Sequence, residues 1–308
     1  MLRSMYSGIS GLKNFQTKLD VIGNNIANVN TYGFKKGRTI FKDLISQTVA
    51  GASGSTATTG GVNPKQVGLG SQIAAIDTIH SGGSTQFTGN TLDLAVAGDG
   101  FFVVADGNAT PPTAFSNPQY TRAGNFYMDN DGFLVNSDGK YIYGFADPAA
   151  ATAADTAFTK ADSAPVATTT ATGTKPTFSG GAAEKPIRIP TNAQSMSVGQ
   201  NGTVTFVDSE GTLRYAGQLV MVKFPNPGGL EKSGANYFRE TSNSGTPFYS
   251  VATEQGMGKI ESGFLEMSNV DLSEEFTEMI VAQRGFQANT RIITTSDEIL
   301  QELVNLKR

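Results

Sequence analysis

The chain of 308 residues contains no cysteine, no tryptophan and a single histidine, His80. Without cysteine there is no disulfide, no thiolate nucleophile and no cysteine-ligated metal. One histidine removes most imidazole-based metal and triad chemistry as well. Charge is sparse: 23 Lys and Arg against 27 Asp and Glu leave −4 and a pI near 5.1, which argues against nonspecific nucleic-acid binding. Long apolar runs are missing too. None approaches the roughly 20 residues that cross a bilayer, so no membrane insertion is expected. The opening Met1-Leu2-Arg3-Ser4-Met5-Tyr6-Ser7-Gly8 lacks the charged, apolar and cleavable succession of a secretory signal. Any export is therefore expected to use another route.

What is present divides into helical ends and a sheet-patterned middle. Met5, Leu12, Leu19 and Ile26 recur every seven residues, with Gly8, Phe15, Ile22 and Val29 three places on. That is an a/d seam over four heptads. Leu272, Met279, Phe286, Ile293 and Leu300 repeat likewise, but their companions are mixed: Phe276 and Val304 are apolar, Gln283, Thr290 and Asp297 are not. Asp271 or Ser273 supplies a cap for this second helix. Residues 1–45 carry seven basic groups against two acids, and residues 265–308 four against eight. Two apolar-striped helices of opposite charge are natural neighbours. Seams of this length call for helical partners, from the same chain or from others.

Residues 46–67 are rich in Gly, Ser, Thr and Ala and are expected to form a flexible or induced-order connector. From about residue 68 short alternating runs are separated by Asp-Gly and Asn-Gly turns, at 99–100, 131–132, 138–139 and 201–202, which predicts mainly antiparallel sheet over 68–146 and 188–264. Residues 147–187, dominated by Ala, Thr, Ser and Pro, are expected to be a low-complexity insertion or small outer domain. The expected fold class is α+β: terminal helices paired as a coiled-coil-like bundle (1–45 with 265–308), a mainly antiparallel β centre and a variable outer insertion.

Catalytic candidates fall away one by one. Asp129-Asn130-Asp131-Gly132 lacks the closing acid of a calcium loop and fits a hairpin turn. Gly68-Leu69-Gly70 has neither the third glycine nor the following helix of a nucleotide loop. His80 fits a strand end, and no carboxylate pair is singled out. No catalytic, cofactor or metal site is expected. A secreted β-rich adhesin or glycan-acting enzyme is the competing class.

The segment Leu19-Asp20-Val21-Ile22-Gly23-Asn24-Asn25-Ile26-Ala27-Asn28-Val29-Asn30-Thr31-Tyr32-Gly33-Phe34-Lys35 resembles the N-terminal signature of the bacterial flagellar rod and hook proteins. Glu266-Met267-Ser268-Asn269-Val270-Asp271-Leu272 and Met279-Ile280-Val281-Ala282-Gln283-Arg284-Gly285-Phe286-Gln287-Ala288-Asn289 are similar to its C-terminal motifs. Thr88-Gly89-Asn90-Thr91-Leu92-Asp93-Leu94 and Tyr120-Thr121-Arg122-Ala123-Gly124-Asn125-Phe126 resemble its β domain. The resemblance implies a non-enzymatic structural subunit, exported through the flagellar type III apparatus. It implies a homopolymeric tube with paired terminal helices inside and β domains outside. Its neighbours would be rod, hook-cap and hook–filament junction proteins. Within the family the likeness to Gram-positive hook proteins is greatest, on Met1–Gly8, Gln66–Gly70 and Gln301–Arg308, with the distal rod subunit as the alternative. The motif positions so implied are Asn24, Asn25, Asn28, Gly33, Phe34, Ser268, Asn269, Val270, Gln283, Arg284, Gln287 and Asn289.

Asparagine side chains cap helix ends and bond backbone groups of a neighbouring segment. Asn24, Asn25, Asn28 and Asn30 are therefore expected to end the first helix and fix how Tyr32-Gly33-Phe34 docks. Ordering about 90 terminal residues costs roughly 1–2 kcal/mol each in backbone entropy, so the ends of a lone subunit are expected to be loosely helical.

Overall fold

The computed structural model describes residues 2–56, 58–107, 115–146, 167–168, 177–178 and 183–306. The backbone forms two compact units. The first gathers Met1–Val29, Lys36–Ile79 and Val270–Arg308; the second gathers Asn30–Lys35 and His80–Asn269.

In the first unit, helix α1 (Leu2–Ala27) lies antiparallel to helix α2 (Leu272–Asn305). The direction follows from the pairs they make. A side chain at Gly8 would touch Ile293 and Asn289, one at Gly285 would touch Phe15, and Asn25 bonds Glu275. Asp271 caps α2, its Oδ1 accepting from the amides of Ser273 (2.8 Å) and Glu274 (3.4 Å). Glu274 and Glu275 in the first turn add the negative charge that a helix N-terminus favours. The strand Gly37–Asp43 pairs with Ser71–Thr78, with a bulge between Ile40 and Phe41. Phe41 meets Phe15 of α1 edge-on, ring centres 6.1 Å apart.

Residues 46–67, expected as a flexible or induced-order connector, carry some regular structure. Ser46–Ala50 pairs antiparallel with Lys65–Gly68. Thr48 and Val49 are β-branched and extended-prone, and the pairing satisfies backbone groups that composition alone leaves unassigned.

The second unit is antiparallel sheet. Its spine, Leu213–Lys223, pairs with Thr203–Val207, Gly144–Ala146, Phe101–Gly107 and Phe248–Val251. Phe101–Gly107 pairs further with Phe115–Thr121 and Tyr141–Ile142. Both faces of these inner strands are covered. Phe102, Val104, Leu219 and Met221 enter one apolar cluster; Phe101, Val103, Val220 and Val222 enter another. Burial on two sides is why Phe101-Phe102-Val103-Val104 is apolar throughout rather than alternating. Three of the four expected turns close as hairpins, with the amides of Gly132, Gly139 and Gly202 donating to the carbonyls of Asp129, Asn136 and Gly199; Asp99-Gly100 instead links Phe101–Gly107 to Leu94–Ala97, which pairs with Lys259–Ser262.

The 147–187 insertion lies mostly outside the described residues. Within it Ala167–Thr168 pairs with Thr177–Phe178. Its expected end needs correction: Ile187 is fully buried in the larger apolar cluster, and Ala183–Glu184 pairs with Gly144–Ala146.

Candidate assembly site

The contact between α1 and α2 is built largely from small and polar groups, with Gly8, Phe15 and Ile293 of the predicted seams taking part. The buried positions of α2 are Glu275, Ala282 and Ser296, with Asn289 half-buried on the same seven-residue row. On α1 they are Gly8, Gly11, Asn14, Ile22 and Asn25. Asn289 fills the space at Gly11, where an added Cβ would stand 2.9 Å from its Nδ2. The ring of Phe15 fills the space at Gly285, 2.6 Å from such a Cβ. Missing side chains let the backbones approach, and each gap is filled by one partner.

The predicted seam residues divide accordingly. Ile22 is buried; Met5, Leu12, Phe15, Leu19, Ile26 and Val29 are half-buried. Met279, Ile293 and Leu300 are half-buried, whereas Leu272, Phe276 and Phe286 are exposed at 39%, 50% and 36%. Ile280, Val281, Ile292, Ile299, Leu303 and Val304 are exposed with them. The ends of the single chain form paired helices, and close packing supplies part of the burial their seams need. Most of the apolar surface of α2 is still left uncovered.

A polar clamp fixes the open end of the pair. Asn25, 1% exposed, donates from Nδ2 to the Gly37 carbonyl (2.9 Å) and to Glu275 Oε2 (3.1 Å), while its Oδ1 accepts from the Gly37 amide (2.9 Å). Lys36 reaches Glu274 at 2.7 Å, and Lys18 reaches Glu278 at 3.0 Å. Burial raises the Glu275 carboxyl above the ordinary carboxylate range, opposed by the Asn25 hydrogen bond and by Lys36. Asn28 donates to the Asn24 carbonyl and to Asn24 Oδ1, closing the last turn; Asn24 itself is exposed.

In the second unit the motif segment Asn30–Lys35 is latched onto the sheet. The amide of Gly33 donates to the Glu266 carbonyl at 2.8 Å. Gly33 has φ +69°, and a Cβ there would stand 2.5 Å from the Ala123 amide, so both conformation and space demand glycine. Phe34 is buried beneath Lys232, whose Nζ lies 5.0 Å from the ring centre and donates to the Lys35 carbonyl. The Lys35 ammonium is wholly enclosed, 2.6 Å from Glu266 Oε1 and 2.8 Å from the Ser81 carbonyl. Arg122 binds the other carboxylate oxygen at 3.3 Å and the carbonyls of Val96 and Gly98. Burial lowers the Lys35 pKa, with Glu266 opposing and Arg122 assisting.

Of the other motif positions, Asn269 donates to Ser81 Oγ at 3.2 Å, and Ser268 and Val270 are half-buried. Asn289 donates to the Gly285 carbonyl, while Gln283, Arg284 and Gln287 are exposed on α2. The sequence reading left Lys35, Arg122, Glu266, Glu275, Gly11 and Gly285 out of the site. The first three stand inside the quoted motifs, and charged residues amid apolar and glycine neighbours were the available signal.

Three family patterns match this chain: "Flagella basal body rod protein" over residues 5–35, "Flagellar hook protein FlgE/F/G D1 domain" over 95–206 and "Flagellar basal body rod FlgEFG protein C-terminal" over 261–306. The flagellar basal-body rod protein FlgG of Bacillus subtilis (strain 168) is 54% identical, with both chains covered completely. The chain belongs to the flagellar rod and hook family. It is a structural subunit of the kind that polymerises into the flagellar axis. The flagellar hook protein FlgE of Borreliella burgdorferi is 35% identical and the basal-body rod protein FlgG of the same organism 34%, again with full coverage of both chains. The hook alignment runs over 449 positions and the Bacillus rod alignment over 311. Against 308 residues, a large part of that hook protein has no counterpart here. The rod alternative therefore fits better than the hook reading drawn from Met1–Gly8, Gln66–Gly70 and Gln301–Arg308.

Proposed function

We propose that this chain is the distal rod subunit of the flagellar basal body, a stiff axial element that carries torque toward the hook. The observation that carries the reading is the full-length 54% identity to a basal-body rod protein. In this proposal the subunit is a homopolymer former whose axial neighbours are other rod proteins and the hook, and it leaves the cell through the flagellar type III apparatus without a cleaved signal. The exposed apolar side chains of α2, Phe276, Ile280, Val281, Phe286, Ile292 and Ile299, supply surface on which copies stack. The seam and motif residues act here as assembly residues.

Electron microscopy of basal bodies from a strain lacking the gene tests the assignment. A truncated rod bearing no hook supports it; a complete rod ending without a hook would assign the chain to the hook instead.

A further inference from the structure

The second unit is made of two stretches of chain, Asn30–Lys35 and His80–Asn269, so the chain leaves it on either side of the first, before His80 and after Asn269. Inside that unit the three places are tied to one another. Lys35 Nζ donates to the Ser81 carbonyl at 2.8 Å and to Glu266 Oε1 at 2.6 Å. The Gly83 amide donates to the same carboxylate oxygen at 3.0 Å, and Asn269 Nδ2 donates to Ser81 Oγ at 3.2 Å. The Gly33 amide and the Lys35 carbonyl are held by Glu266 and Lys232. Whatever positions Ser81 therefore holds all three segments.

Ser81 follows directly on His80, whose ring is packed edge-on between Phe101 and Phe238, centre distances 5.6 and 5.3 Å. Both ring nitrogens are buried. The Pro227 backbone hydrogen-bonds the ring, which serves one nitrogen; the other has no partner among the described residues. In the neutral imidazole that second nitrogen is only a lone pair. Protonated, it becomes a buried donor without an acceptor and brings a charge with it. The charged groups around the ring oppose that charge. Lys35 of the first segment, Arg122 and Lys232 all face it, and Lys223 lies on the wall of the adjoining cavity. Of the acids, Glu266 is shared between Lys35 and Arg122, and Asp99 is paired with Lys223 at 3.0 Å. Burial first, then Lys35, Arg122 and Lys232, push the imidazole from 6.5 down to about 4.

We propose that His80 is an acid-sensitive pin: a proton on its ring is accommodated only by expelling the ring, which withdraws Ser81 and releases Asn30–Lys35 from the sheet. Nothing in this depends on whether the chain is rod or hook. The hold given by the buried neutral ring is complete above the free imidazole value and is lost as pH falls from there through the buried one. The β unit itself stays folded, because its apolar clusters contain no part of Asn30–Lys35.

Hydrogen exchange of the full-length chain, followed by mass spectrometry at about pH 7 and about pH 5 and corrected for the intrinsic rates, tests the pin. This window spans the ordinary imidazole value and stays above the ordinary carboxylate range. Protection of Asn30–Lys35 should fall about tenfold or more at the lower pH, while Phe101–Gly107 keeps its protection. His80→Phe places a ring that takes no proton between Phe101 and Phe238, and should hold the segment equally at both values. No loss in the wild type, or an equal loss in the variant, overturns the proposal. His80 is the sole imidazole of the chain, so its ring signals in NMR keep the test decisive even where the variant fails to fold. A midpoint far below the free value, with protection of Asn30–Lys35 falling as the ring takes its proton, supports the pin. A ring that titrates near the free value while the segment stays protected refutes it.

Discussion

A single buried carboxylate, Glu266, neutralises two enclosed cations, and the arrangement sets unequal costs for its three members. Removing one partner of a buried ion pair leaves an uncompensated charge and costs about 3–5 kcal/mol. Glu266→Ala strands both Lys35 and Arg122 and belongs at the upper end. Lys35→Met leaves Glu266 still paired with Arg122 and should cost clearly less. Urea unfolding of the β unit, followed by tyrosine fluorescence, orders the two; equal losses would show that the carboxylate is not the centre of the network. Gly33→Ala combines a left-handed backbone with a clash against the Ala123 amide and should cost about 1–3 kcal/mol in the same assay. Asp208 behaves oppositely to a stranded charge. Its carboxylate, 2.5 Å from Arg214 Nε and bonded to Thr212, is held well below the usual range. Its contribution is complete above the unfolded-state pKa and disappears as pH falls through the folded one.

At the scale of elements, the helix pair depends on absences. Gly285→Leu forces a branched side chain into the space of Phe15 and should loosen α1 from α2 by about 1–3 kcal/mol. Thermal melting of the helical signal in circular dichroism measures it. The clamp at the other end carries a pH signature. Because burial raises the Glu275 pKa, the folded pair binds that proton more tightly than the unfolded chain. The stabilisation is complete below the unfolded-state value and lost as pH rises through the folded one. Glu275→Gln keeps an acceptor for Asn25 but cannot ionise. Its helix melting should therefore be higher than wild type at about pH 8 and converge with it at about pH 4. A variant that melts lower at both values would show that the carboxylate charge, through Lys36, outweighs its burial.

For the whole molecule the uncovered face of α2 decides behaviour. Charged substitution on it, Ile280→Asp with Val281→Asp, falls on side chains 60% and 58% exposed and adds repulsion where copies would meet. The monomer should keep its melting temperature while sedimentation shows no polymer. Deleting residues 1–30 or 279–308 should likewise abolish assembly and leave the β unit folded, since its apolar clusters lie within residues 92–260. A truncated chain that still polymerises would remove the ends from the assembly surface.

Much of the architecture follows from local pattern. Two helices at the ends, an Asp271 cap, Gly-rich turns at fixed dipeptides and an antiparallel centre follow from periodicity and backbone preference, which act over a few residues. The capping role of the motif asparagines follows for the same reason, whereas Gly33 was implied only by the family resemblance. Tertiary structure alone decided which face of each helix is covered. The heptads mark apolar rows, and pairing within the chain uses only part of them: Gly8 and Phe15 take part beside Gly11, Gly285 and Ala282, while Phe276 and Ile280 stay exposed. Nor does sequence spacing bring Lys35, Arg122 and Glu266 together across 231 positions. Desolvation of a charge is settled only when distant strands close around it, and no stretch of sequence encodes that by itself.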